Sequence, residues 1–314
     1  MAARRHRLYG RRRRMSAAAA LRARLAVHSP ARARWERFLA GLPLDPDALD
    51  EVRPTGPNDV IVCGSSRSGT TLATAALFQP PRVVTVMEPW DGMRLPPAAL
   101  FASLRRELAT GVLRRGRLDI AALHAEHVTR WCRDGERPVP VEADADTVVA
   151  VKWPVWWRWL DRLPDTRFVV CVRDPVETIR SYAGTGGRLA DGRDYPTAFN
   201  AAMLRTLDAT ARRRPPEPPG SPLDEAWLRR IDLFDHVHEQ LLPHLGRANV
   251  HTLRYERWFV EPDAVLDELG AFLGVSLAAP SVTITAPRSR PPATDPLGDA
   301  IRARCRTAAA LGYA

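Results

Sequence analysis

The stretch that most constrains what this chain can fold into runs from Asp59 to Leu72, DVIVCGSSRSGTTL. Val60, Ile61, Val62 and Cys63 form a short apolar run rich in β-branched residues, the pattern of a strand buried on both faces of a parallel sheet. A loop of small residues follows, Gly64-Ser65-Ser66-Arg67-Ser68-Gly69-Thr70-Thr71, and then the helix-forming run LATAALF. Strand, small-residue loop and helix start together present backbone N–H groups and the positive end of a helix to an anion. The serine and threonine hydroxyls add donors, and Arg67 adds a fixed positive charge. The stretch predicts a cradle for phosphate or sulfate; the bland alternative is an ordinary Ser/Gly/Thr turn.

The loop is not the nucleoside-triphosphatase version. That motif, G-x-x-x-x-G-K-[ST], needs a lysine for the terminal phosphates and a hydroxyl for magnesium. Here Thr70 follows Gly69 and no lysine comes after it. No metal site is expected elsewhere, since Cys63, Cys132, Cys171 and Cys305 lack metal-binding spacing and read as reduced thiols of a cytoplasmic protein. His124 and His127, on a run that reads as helical, have no further ligands beside them.

Charge excludes less than it first suggests. The net charge is +10, but residues 1–14 hold seven arginines and no acid, leaving about +3 for everything after them. The segment 1–15 reads as a basic disordered tail. Residues 16–58 read as N-terminal helices, split by Pro30, and a linker; 59–314 read as the main domain. No window reaches the length of a membrane span. The interrupted apolar run SAAAALRARLAVH is no signal peptide.

Four more strands are expected after the first: Val83–Met87, Thr147–Val151, Arg167–Val172 and Val250–Leu253. Glu88 stands directly after the second, where ligands bind in open α/β sheets. Lys152-Trp153-Pro154 closes the third, and VWWRWLDRLP follows it. Arg173-Asp174-Pro175 closes the fourth, with Ser181 nearly two turns into a helix beginning near Pro175. A forked guanidinium with a hydroxyl is a good phosphate clamp. Residues 96–135 read as helical, as do 198–212, AWLRRIDLFDHVHEQLLPHL and a last helix ending in LGY. Trp90, Trp153 and Trp156 are candidate walls of an acceptor pocket, with core packing as the competing account.

Taken together, these motifs resemble the sulfotransferases that use 3′-phosphoadenosine 5′-phosphosulfate (PAPS). R-S-G-T-T-L after a buried strand resembles their 5′-phosphosulfate loop, with Ser66 where proline is common. R-D-P with serine eight residues on resembles the pair that binds the 3′-phosphate, here Arg173 and Ser181. RYERWFVEPDAVLDELGAFLGV resembles their R-Y-E-D-L segment and closing helix, with Arg257-Trp258 in place of Asp-Leu. That places Tyr255 near the nucleotide. Arg288 and Arg290 fall where a basic C-terminal loop covers the 3′-phosphate in the family. The resemblance spans Asp59 to Val275 and the terminal LGY.

It implies an α/β, P-loop-like three-layer fold with a central, mainly five-stranded parallel sheet flanked by helices. It also implies PAPS as sulfate donor, held by Ser65, Ser66, Arg67, Ser68, Gly69, Thr70, Thr71, Arg173, Ser181, Tyr255, Arg288 and Arg290, with no metal. The cytosolic members take their base from a K-T-H element; here Lys152 matches and the histidine is absent. The tyrosylprotein and several bacterial enzymes use a glutamate on the second strand. Glu88, 21 residues after Arg67, resembles that arrangement and is the expected base, with Arg67 and Lys152 stabilising the transferring group.

Two other classes compete. An atypical P-loop kinase would share the cradle, and a nucleic-acid-binding protein would act through the arginine tail. The acceptor is expected to be a small molecule, sugar or glycolipid, since the Arg/Ala/Pro-rich composition points to a GC-rich bacterial genome. No specific nucleic-acid partner is expected, and the sequence carries no sign of oligomeric state.

Overall fold

The apolar runs are buried on both faces because each strand alternates between two cores. Ile61 and Cys63 enter one hydrophobic layer, and Val60 and Val62 the other. The structure, a computed structural model, describes residues 52–89, 95–113, 139–184, 217–280, 284 and 294–313. Strands β1 (Asp59–Gly64), β2 (Val83–Met87), β5 (Val148–Lys152), β6 (Arg167–Val172) and β7 (Val250–Arg254) form one sheet in the order β2-β5-β1-β6-β7. All its pairings are parallel. β3 (Val112–Leu113) and β4 (Val139–Pro140) form a separate antiparallel pair.

Parallel neighbours require crossovers, and helices supply them on both sides. α1 (Thr70–Leu77) and α5 (Pro262–Leu273) cover the face of Val60 and Val62. α2 (Pro97–Leu108), α3 (Pro175–Gly184), α4 (Glu225–Leu241) and α6 (Pro296–Arg304) cover the other face. The result is the three-layer α/β arrangement expected from the sequence. At the amino end of β1, Asp59 is buried and accepts from Arg105 of α2 (Nε 2.9 Å, Nη2 2.6 Å). The sheet is thereby fastened at the end opposite the anion loop.

Two local expectations, on the helix over 96–135 and on the last helix, are corrected. The helix expected over 96–135 ends at Leu108, because Thr110 and Gly111 turn the chain (Gly111 φ 72°) into β3. The tryptophan-rich segment after β5 is a 3₁₀ helix, Pro154–Trp159, in which Trp156 and Trp159 share one side by their i/i+3 spacing and Trp157 is buried as well. The last helix stops at Arg304, so Leu311-Gly312-Tyr313 lie in a turn segment behind it. The expected helices at 16–42 and 198–212, and the basic tail, lie outside the described residues.

Candidate active site

Each of the five sheet strands ends, at its carboxyl edge, in a residue or loop singled out from the sequence. Across the sheet these are Glu88 after β2, Lys152 closing β5, the loop 65–69 after β1, Arg173 after β6 and Tyr255 after β7. The chain order reverses about β1, which makes this edge the switch point where open α/β sheets bind ligands.

Glycine shapes the central loop at two positions. Gly64 has φ 140°, and a Cβ there would sit 2.3 Å from the Cys171 carbonyl oxygen. Gly69 has φ 95°, and its Cβ would sit 2.3 Å from Cδ2 of Tyr255. Between them Arg67 adopts φ 68°, a left-handed conformation unusual for arginine. The turn is closed by the Ser68 N–H and hydroxyl, which both donate to the Ser65 carbonyl (3.1 and 2.6 Å). Gly69 is the N-cap of α1 and offers no side-chain acceptor, so the first-turn N–H groups of α1 face the loop without an intrahelical partner.

α3 holds this loop from the side. Tyr182, fully packed in the core, shares a short hydrogen bond with the Ser65 hydroxyl. Burial pushes the Tyr182 phenol up, so it stays protonated. One residue earlier, Ser181 Oγ accepts from Arg67 Nε at 2.9 Å. Arg173 donates to the Arg67 carbonyl (3.2 Å), approaches Glu177 (3.4 Å) and lies 4.4 Å over the Tyr255 ring. Two guanidinium groups thus stand side by side. Arg67 opens to solvent but is ringed by protein, and that loss of hydration, with the Arg173 charge, pulls its pKa down. Such a pair lowers its energy by taking up an anion.

On the other side of the loop, Glu88 and Lys152 form a buried ion pair. The Glu88 N–H also donates to the Lys152 carbonyl at 2.8 Å, and the Glu88 backbone is left-handed at φ 44°. Lys152 Nζ lies 3.4 Å from Thr71 Oγ1, which puts it between the carboxylate and the loop. Backbones held in such sparsely populated conformations cluster at functional sites.

Among the expected pocket walls, Trp153 and Trp156 are buried in the core, 1% and 5% exposed. Trp90, Arg288 and Arg290 lie outside the described residues. Among the described residues no group of three or more His, Cys, Asp or Glu side chains is placed to hold a metal ion. No helix of theirs is long and apolar enough to cross a membrane. Arg257, the departure from the R-Y-E-D-L pattern, forms a bidentate pair with Glu268 (2.6 and 2.7 Å), while Trp258 is buried. Both serve the packing of α5. Sequence reasoning missed Tyr182 and Glu256, although each is the immediate neighbour of a residue it did single out.

A family profile described as the sulfotransferase family matches residues 57–279, a span that contains the 65–71 loop, Glu88, Lys152, Arg173, Ser181 and Tyr255. No curated protein matches the chain closely. Among solved structures it is similar to a sulfotransferase from Alicyclobacillus acidocaldarius, at 17% identity and a TM-score of 0.37, over 76% of this chain and 88% of that one. A Mycobacterium avium sulfotransferase aligns at 16% identity and a TM-score of 0.36, covering 90% of this chain and 73% of the other. A mouse sulfotransferase complexed with PAP aligns at 15% identity and a TM-score of 0.36, over 77% of this chain and 64% of that one. With a profile match over most of its length, the chain belongs to the sulfotransferase family and is an enzyme of sulfuryl transfer.

Proposed function

We propose that the sulfuryl donor is PAPS and that the acceptor is a hydroxyl of a small molecule, sugar or glycolipid, with Glu88 as general base. The observation that carries the reading is the adjacency of Arg67 and Arg173, with Arg173 donating to the Arg67 carbonyl and Arg67 to Ser181, beside a carboxylate–lysine pair on the neighbouring strands. The donor set fits a bisphosphorylated nucleotide. Two guanidinium groups, a helix N-terminus and a ring of hydroxyls answer two phosphate-like groups, and the absence of a Cβ at Gly69 lets the Tyr255 ring pack directly on the loop.

When bound, PAPS supplies an activated sulfuryl group on a phosphate leaving group. Arg173 and Ser181 hold the 3′-phosphate, with Tyr255 packed beside the arginine. The 65–71 loop and Arg67 hold the phosphosulfate, and Arg67 offsets the charge that grows on the leaving oxygen. Lys152, within reach of Thr71, stabilises the transferring group. Glu88, which is 8% exposed, takes the proton from the acceptor hydroxyl.

Thermal unfolding tests the donor. Adenosine 3′,5′-bisphosphate at a hundredfold excess over its Kd stabilises the protein by about 2.7 kcal/mol, and ATP with magnesium leaves it unchanged. Stabilisation by ATP–magnesium alone would overturn the reading in favour of a kinase. Radiolabelled PAPS with a panel of alcohols, sugars and glycolipids then identifies the acceptor class.

A further inference from the structure

Tyr313 packs against the site from outside it. Its hydroxyl donates to Glu256 Oε2 at 2.8 Å, and the other oxygen of that carboxylate accepts from the backbone N–H of Asp174 at 2.8 Å. Asp174 is the residue after Arg173, and its own carboxylate caps α3 by accepting from the Glu177 N–H at 3.0 Å. Its second oxygen lies 3.3 Å from Nη1 of Arg302, which also reaches the Tyr313 carbonyl. The Tyr313 ring in turn stacks 5.1 Å from the Arg254 guanidinium.

Two dipeptides are therefore fastened in parallel: Arg173 lies over Tyr255, and the next residue, Asp174, is bonded to the next residue, Glu256. The Glu256 carboxylate uses one oxygen for the clamp strand and one for Tyr313. Burial and the facing Glu256 charge push the Tyr313 phenol up, so it remains a donor.

We infer that Tyr313 is a positioning residue for nucleotide recognition: through Glu256 it sets the backbone of Arg173-Asp174, and so the grip on the 3′-phosphate. This rests on the PAPS reading of the site. A group acting only on the 3′-phosphate end affects ligands that carry that phosphate and spares those that lack it. A residue that merely holds the fold together weakens both alike.

The test titrates the full chain, wild type, Tyr313→Phe and Glu256→Gln, with adenosine 3′,5′-bisphosphate and with adenosine 5′-phosphate by calorimetry at fixed salt. The expected result is that Tyr313→Phe loses about fivefold to tenfold of the wild-type preference for the bisphosphate and keeps its affinity for the 5′-phosphate. Glu256→Gln loses the same preference, because an amide has one accepting oxygen where the carboxylate uses two. An unchanged preference, or equal weakening of both ligands, overturns the inference while leaving the donor reading intact. A wild type without preference overturns the donor reading, and the inference with it.

Discussion

Arg67 and Ser181 are bonded through Nε and Oγ at 2.9 Å, so the loop after the central strand and the second turn of α3 are one piece of the site. Groups that share a hydrogen bond do not act additively. Arg67→Ala and Ser181→Ala are expected to show a coupling of about 0.5–3 kcal/mol in bisphosphate binding, measured by a double-mutant cycle. Additive effects would mean that each meets the ligand alone.

Gly69→Ala is expected to damage the site more than its size suggests. The new methyl group would meet the Tyr255 ring at 2.3 Å and the backbone would be held at φ 95°. Alanine at positive φ costs more than the ~0.4–1 kcal/mol gained at compatible positions. The Tyr255 ring must move, and Arg173 with it, so calorimetry should show bisphosphate affinity falling together with stability.

Glu88 and Lys152 are a buried pair, and this shapes how their variants must be read. Removing one partner leaves an uncompensated charge, at a cost of about 3–5 kcal/mol. Glu88→Gln alone is expected to lower both the melting temperature and turnover. Glu88→Gln with Lys152→Met is expected to regain much of the stability and none of the turnover. Recovery of sulfuryl transfer in the double variant would remove both residues from the chemistry.

The pH dependence of stability should carry the mark of His238. It is fully buried on α4, its Nδ1 lies 2.8 Å from the Phe234 carbonyl, and Nε2 has no hydrogen-bond partner. Burial pulls its pKa down to about 4, with Phe234 and Asp235 opposing. The native state then binds fewer protons than the unfolded one between pH 6.5 and 4. Stability is complete above the unfolded pKa and falls as pH drops through that window, by on the order of 3 kcal/mol. Urea unfolding from pH 7 to pH 4 checks this, and His238→Leu should flatten the slope.

Four of the five strands were legible because each is a largely apolar run buried on both faces, and such runs admit few other fates; β7, VHTLR, is only partly buried. β1, β2, β5, β6 and β7 fall within a residue or so of the runs read from the sequence. Glu88, Lys152 and Arg173 were legible for the same reason: a polar residue at the end of a buried strand has one edge to stand on. Tyr182 and Glu256 were not, because their roles are contacts with residues 117 and 82 positions away. No local pattern encodes such contacts. The stop of α2 at Leu108 was missed because Leu100, Leu104 and Leu108 continue a helical stripe up to the turn that ends it.

The parallel ladder also acts as a gauge. Hydrogen-bonded strands lie about 4.8 Å apart, so Glu88 at the end of β2 and Arg173 at the end of β6, three intervals from each other, are spaced by roughly 14 Å of backbone. Glu88 is thereby set at a sheet edge and Arg173 inboard of it. On the proposed reading of the site, loops beyond β2 can be rebuilt for a new acceptor while the spacing between Glu88 and Arg173 stays fixed.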